Sequence, residues 1–101
     1  MDQPKVISYA SEYTVTCVPD DHHWDITVEY RGDLRWAVKH GGRCLGRDGS
    51  WSYESIPSER EEAWLADHRF PLAEALILAQ DHAPLIKVNG KTPADWHNYT
   101  G

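Results

Sequence analysis

The sequence predicts an α+β fold: an antiparallel β-meander of four to five strands, two helices packed on one face of it, and a short C-terminal strand and helical turn. Three observations lead there. Residues 24–30 alternate apolar and polar side chains with a period of two and residues 34–38 repeat the pattern, residues 58–82 change to a helical period, and Gly41-Gly42, Asp48-Gly49 and Asn89-Gly90 punctuate the chain with turn signals. At 101 residues and 41% hydrophobic content the chain suits a single α+β domain over 1–101, with residues 1–12 read as a flexible arm or edge strand.

The elements follow in order. Tyr13-Thr-Val-Thr-Cys-Val18 is β-branched and stops at Pro19, which cannot donate to a ladder. Trp24, Ile26, Val28 and Tyr30 then fall on one face of a strand, with Asp25, Thr27 and Glu29 on the other, and Leu34, Trp36 and Val38 repeat the pattern. Pairing Tyr30 with Leu34 aligns the two apolar faces across a three-residue loop. It also sets Glu29 opposite Arg35 and Asp25 opposite Lys39, each pair worth about 0.2–1 kcal/mol. A second hairpin around Asp48-Gly49, with Arg47 opposite Ser50, sets Gly46 against Trp51 and Cys44 against Tyr53, which leaves Cys44 on the core face. Ser58-Glu59-Arg60-Glu61 has capping-box spacing and predicts a helix from Ser58, with Trp64, Leu65 and His68 inward. Pro71 ends it and suits the first turn of a second helix to about His82. There Leu72, Ala75, Leu76, Ala79 and Ala83 form the apolar stripe, while Ile77 and Leu78 flank Glu74 and Asp81 on the nominally wet side. Leu85–Val88 reads as a short strand before the Asn89-Gly90 turn, and Thr92-Pro93 as the start of a helical turn carrying Trp96.

Composition excludes several function classes. Ten Lys and Arg against sixteen Asp and Glu give a net charge of −6, which argues against binding nucleic acid or an anionic membrane. The apolar run Ala75–Ala79 is far below the roughly 20 residues of a membrane span, and the N-terminus lacks the basic start of a signal peptide, so the expected compartment is the cytoplasm. Cys17 and Cys44 are accordingly expected as reduced, buried thiols. Five Trp and five Tyr against one Phe predict amphipathic rings at the rim of a small core.

Local motifs yield no chemistry. Gly90-Lys91-Thr92 lacks the first glycine of a phosphate-binding loop and meets Pro93 where the helix should begin. Arg31-Gly32-Asp33 is explained by its hairpin turn. Cys17, His22, His23, His40 and Cys44 include metal-binding residue types without paired ligand spacing. No catalytic residue, metal ligand or cofactor site is therefore assigned.

Charge asymmetry is what remains. Residues 31–47 carry Arg31, Arg35, Lys39, Arg43 and Arg47 against Asp33, whereas residues 58–67 carry Glu59, Glu61, Glu62 and Asp67 against Arg60. Two surfaces are expected to bind a partner: an outward sheet face bearing Arg35, Lys39 and Arg47, and a helix face around Glu74, Ile77, Leu78 and Asp81, which could equally serve a homodimer.

Arg35-Trp36-Ala37-Val38, Arg43–Gly49, Ser58–Leu65, His68-Arg69-Phe70 and Val88-Asn89-Gly90 together resemble small uncharacterised accessory proteins encoded by actinobacteriophages, a likeness spanning about residues 13–96. The resemblance implies a non-enzymatic protein-binding module that binds and modulates a host protein in the cytoplasm of the bacterial host. It carries no functional residues across. The competing expectations are a small enzyme with catalytic residues dispersed in sequence, and a structural or assembly protein.

Overall fold

A computed structural model describes residues 11–54 and 62–100; residues 1–10 of the arm or edge strand expected over 1–12, and the helix start expected at Ser58, lie outside the described residues. The fold is α+β, with a five-stranded antiparallel meander in the order β1-β2-β3-β4-β5. Its strands are β1 (Glu12–Val15), β2 (Ile26–Tyr30), β3 (Trp36–His40), β4 (Arg43–Leu45) and β5 (Trp51–Tyr53). The helices α1 (Glu62–His68), α2 (Leu72–His82) and α3 (Pro93–Thr100) follow.

β1 stops short of Val18 because the chain turns there: the Thr16 hydroxyl accepts from the Val18 amide at 3.0 Å, and Val18 is buried. A single 3₁₀ turn at His22–Trp24 delivers Trp24 to the core before β2 begins, with the Asp21 carboxylate capping it through the His23 amide. In β2 the alternation holds, Ile26 and Val28 being buried and Thr27 and Glu29 only half-buried.

The β2–β3 register differs from the expected one by two residues. Tyr30 pairs with Trp36 and Val28 with Val38, so the connection lengthens to Arg31–Arg35. An even displacement preserves the faces, which is why Ile26, Val28, Trp36 and Val38 all reach the core. The expected charge pairs do not form. Glu29 stands opposite Ala37, and Arg35 belongs to the loop. Asp25 accepts instead from His22, and Lys39 lies 3.8 Å from Glu29 on a diagonal.

The β4–β5 hairpin is displaced by one residue, which reverses a face. Cys44 pairs with Ser52 and Leu45 with Trp51, across a Gly46–Ser50 loop turned by Gly49 at φ 85°. Leu45 therefore joins the core with Val28 and Val38, whereas Cys44, opposite Lys39, belongs to the other side of the sheet.

Ala75, Ala79 and Ala83 bring α2 against that core, and their small side chains allow close approach to the sheet. Leu72 and Leu76 pack at its margin. α1 meets the sheet through its final residue: His68 Nε2 is 3.0 Å from Ser52 Oγ, on the Cys44 side. Between these helices Phe70 forms an antiparallel bridge with Trp36, the Trp36 amide donating at 2.7 Å and the Phe70 amide at 2.9 Å.

The strand expected over Leu85–Val88 is reduced to one bridge, Val88 with Lys91, preceded by a 3₁₀ turn at Ala83–Leu85. Asn89 and Gly90, both at positive φ, make a favoured two-residue hairpin turn, but the 3₁₀ turn before it and the helix from Pro93 after it leave no flanking strand to extend the ladder. α3 is longer than one turn, and a reciprocal cap starts it: the Thr92 amide and hydroxyl donate to Asp95, whose amide donates back at 3.3 Å.

Candidate protein-docking site

The clearest cleft, about 380 Å³, lies between the β2–β3 tip and the junction of α1 and α2. The tip contributes Asp33, Leu34 and Arg35, and the opposite wall contributes Leu65, Ala66, Arg69, Phe70 and Pro71, with Arg47 from the β4–β5 loop. Thus Arg35 and Arg47, singled out by charge, do meet, but in a cleft rather than on a sheet face.

The tip has an unusual backbone. Asp33 and Leu34 are both left-handed, at φ 54° and 59°, following Gly32 at φ 87°. Aspartate tolerates that region, but an aliphatic side chain there is strained by about 1–2 kcal/mol. Nothing in the core repays it, because Leu34 is 81% exposed. The loop is nonetheless well held. Arg31 and Arg35 close it through amide hydrogen bonds at 2.9 Å, and the Leu34 amide donates to the Tyr30 hydroxyl at 3.3 Å. Tyr13 and Tyr30 buttress its base, with ring centroids 5.7 and 5.1 Å from that of Trp36.

The three cleft guanidiniums differ in what they are free to do. Arg47 lies 4.8 Å over the Phe70 ring, donates to the carbonyls of Ala66 and Arg69, and pairs with Glu74 at 3.0 Å. Arg69, 5% exposed, is held by Glu54 and by the His68 carbonyl, over the Trp64 ring. Both are clasps of the fold. Arg35 is exposed and, among the described residues, makes no side-chain hydrogen bond or ion pair.

The remaining expected site residues are dispersed. Lys39 joins Arg31, Arg69, Glu29 and Glu54 in a charged layer above Ala37 and Cys44, with Arg31 bonded to Glu54 at 3.2 Å. This layer takes up Arg31 and Lys39, two of the five basic residues read from the sequence, and it takes Arg31 of the Arg-Gly-Asp tripeptide out of play. Burial pushes the Cys44 thiol above its usual range, so it stays protonated and unsuited to nucleophilic attack. On α2, Glu74 is committed to Arg47 and Leu78 packs against the core, leaving Ile77, 58% exposed, and Asp81 outward.

Sequence reasoning missed Leu34, placing it on the apolar strand face, and missed the wall of Leu65, Phe70 and Pro71. Gly32 hinted at a tight turn, but nothing local distinguishes a three-residue loop from a five-residue one. Among the described residues, no group of three or more His, Cys, Asp or Glu is placed to hold a metal ion, and no helix is long and apolar enough to cross a membrane. No protein-family model, curated protein or solved structure matches the chain.

Proposed function

We propose that the chain is a non-enzymatic protein-binding module whose β2–β3 tip and adjoining cleft dock a partner segment carrying an apolar side chain beside a carboxylate. The carrying observation is Leu34, held 81% exposed on a left-handed backbone where glycine would serve the fold better. Strain that earns the fold no contact is accounted for if the side chain is presented to a partner. Arg35 supplies the charge beside it, and Tyr30, 42% exposed, supplies an aromatic of the kind enriched where interfaces concentrate their affinity. The wider reading, a phage-encoded factor that modulates a bacterial host protein, rests on the sequence resemblance.

Selection of a random peptide display library on the immobilised protein tests this reading. Enriched peptides should share an acidic residue next to an apolar one. Their affinity should fall about tenfold or more in Leu34→Gly, given roughly 1.5–3 kcal/mol for fully burying a leucine. Leu85→Ser, at an exposed leucine away from the cleft, should bind normally. Enrichment of peptides without a carboxylate, or equal binding by Leu34→Gly, would refute the proposal.

A further inference from the structure

The charges at the rim of the docking cleft bear on what fills it. Arg47 and Arg69 are committed to Glu74 and Glu54 within the fold. What remains is one guanidinium, Arg35, and one carboxylate, Asp33. Both residues are exposed, and among the described residues neither side chain makes a hydrogen bond or ion pair, although only Leu34 separates them. The uncommitted rim is therefore neutral overall and carries both signs. A partner with a carboxylate for Arg35 also needs a cation for Asp33.

The tip itself meets that description. Asp33-Leu34-Arg35 presents a carboxylate, an apolar side chain and a cation in succession, the first two on a left-handed backbone. Two such segments laid antiparallel about a two-fold axis set Asp33 of each opposite Arg35 of the other and bring the two Leu34 side chains together. A two-fold contact is self-complementary in this sense, residue i meeting j while j meets i. Leu34 is 81% exposed although it lines its own cleft, so its own copy does not cover it. The apolar surface that a second copy offers beside the tip is half-buried Leu65 and exposed Ala66 and Pro71.

We infer that the partner segment is the Asp33–Arg35 tip of a second copy of this chain, so that the two clefts close on each other in a two-fold homodimer. This rests on the docking reading and names its occupant. The ion pairs lie at an exposed rim, so they set register and contribute little affinity, while the apolar contact of Leu34 carries most of the binding. A contact built on two loop tips and their rims falls at the low end of interface sizes, roughly below 1,200 Å², and such a dimer is weak and concentration-dependent. The net charge of −6 on each copy adds a long-range repulsion that ordinary salt screens.

Sedimentation equilibrium of the full chain, over roughly 10 μM to 1 mM at physiological salt, should show a monomer–dimer equilibrium half-complete near about 0.1 mM. Leu34→Gly should weaken the dimer about tenfold or more. Asp33→Lys and Arg35→Glu each place like charges across both contacts and should each weaken it about fivefold or more. Mixed in equal amounts, these two charge variants should pair with each other at close to the unsubstituted affinity, because every substituted residue then meets its opposite sign. A chain still monomeric at about 1 mM, a dimer untouched by Leu34→Gly, or a mixture that associates no better than its separate components would overturn the inference. Peptide selection keeps the two readings apart. Acidic peptides that need Leu34, on a chain that stays monomeric, would overturn the second copy alone, whereas peptides indifferent to Leu34 would sink the docking reading itself.

Discussion

Replacing Leu34 by glycine should strengthen the fold while weakening its binding. At φ 59° the leucine Cβ crowds the backbone, a strain of about 1–2 kcal/mol that glycine does not have. Against that stands the larger conformational entropy that glycine loses on folding, about 0.5–1 kcal/mol. The side chain is 81% exposed, so its removal takes little from the core. The balance is a gain of about 0.5 kcal/mol, equivalent to a rise in Tm of roughly 2–4 °C for a domain of this size. Urea denaturation at constant m-value measures it, and Leu34→Ala is the control, since alanine keeps the strain and should not stabilise. A loss of 1 kcal/mol or more in Leu34→Gly would refute the reasoning, because Leu34 would then be holding the fold rather than being held by it.

Other substitutions test the placements around it. Leu78→Asp should destabilise by about 2 kcal/mol or more because Leu78 packs against the core, while Ile77→Asp should stay within about 0.5 kcal/mol; thermal melts giving the reverse order would contradict the orientation of α2. Glu54→Gln should cost about 3–5 kcal/mol, since it leaves the buried Arg69 guanidinium without its anion among neighbouring Arg31 and Lys39; a cost below 1 kcal/mol by urea denaturation would show the charged layer to be screened by water. Asp21, Asp48 and Asp95 are held below the ordinary carboxylate value by hydrogen bonds from His23, Ser50 and Thr92 respectively. A lowered folded pKa contributes stability that is present above the unfolded value and is lost as pH falls through the folded one, so stability should decline below about pH 4. Asp48→Asn should lower stability at neutral pH and flatten that decline, and an unchanged acid slope would contradict the assignment.

The elements were legible in the sequence where periodicity was long, and misread where a loop decided. Ile26–Tyr30 has enough period to declare type and face together, whereas Leu72–His82 declares its helix and its Ala75 and Ala79 stripe but not Leu78, which was read on the wet side and packs against the core. The β2–β3 loop was misjudged by two residues, yet Val28, Trp36 and Val38 stayed inward because strand faces repeat every two residues. In Arg43–Leu45 the three-residue strand is too short for its own pattern to choose a face, so an error of one exchanged Cys44 for Leu45. Leu85–Val88 shows the limit of short apolar runs, which suit a strand, a buried turn or a single bridge equally.

The docking cleft was half legible. Composition drew attention to Arg35 and Arg47, but the commitment of Arg47 to Ala66, Arg69 and Glu74 depends on a long-range meeting of loop and helices. Leu34 was hidden for another reason: an exposed leucine on a left-handed backbone violates the local rule from which its strand position was read. The contact between the Trp24 and Trp96 rings, 5.3 Å between centroids, joins distant parts of the sequence, with no spacing to announce it.

The central claim, that the β2–β3 tip docks a partner through Leu34 and the charge of Arg35, is tested most directly by a charge exchange across the contact. Calorimetric titration would compare a selected acidic peptide and its carboxylate-to-lysine counterpart against the wild-type chain and Arg35→Glu. Each single change should weaken binding, and the two together should restore it, with a coupling of about 1 kcal/mol or more. Additive losses, within about 0.3–0.5 kcal/mol, would mean that Arg35 does not face the partner and would contradict the account.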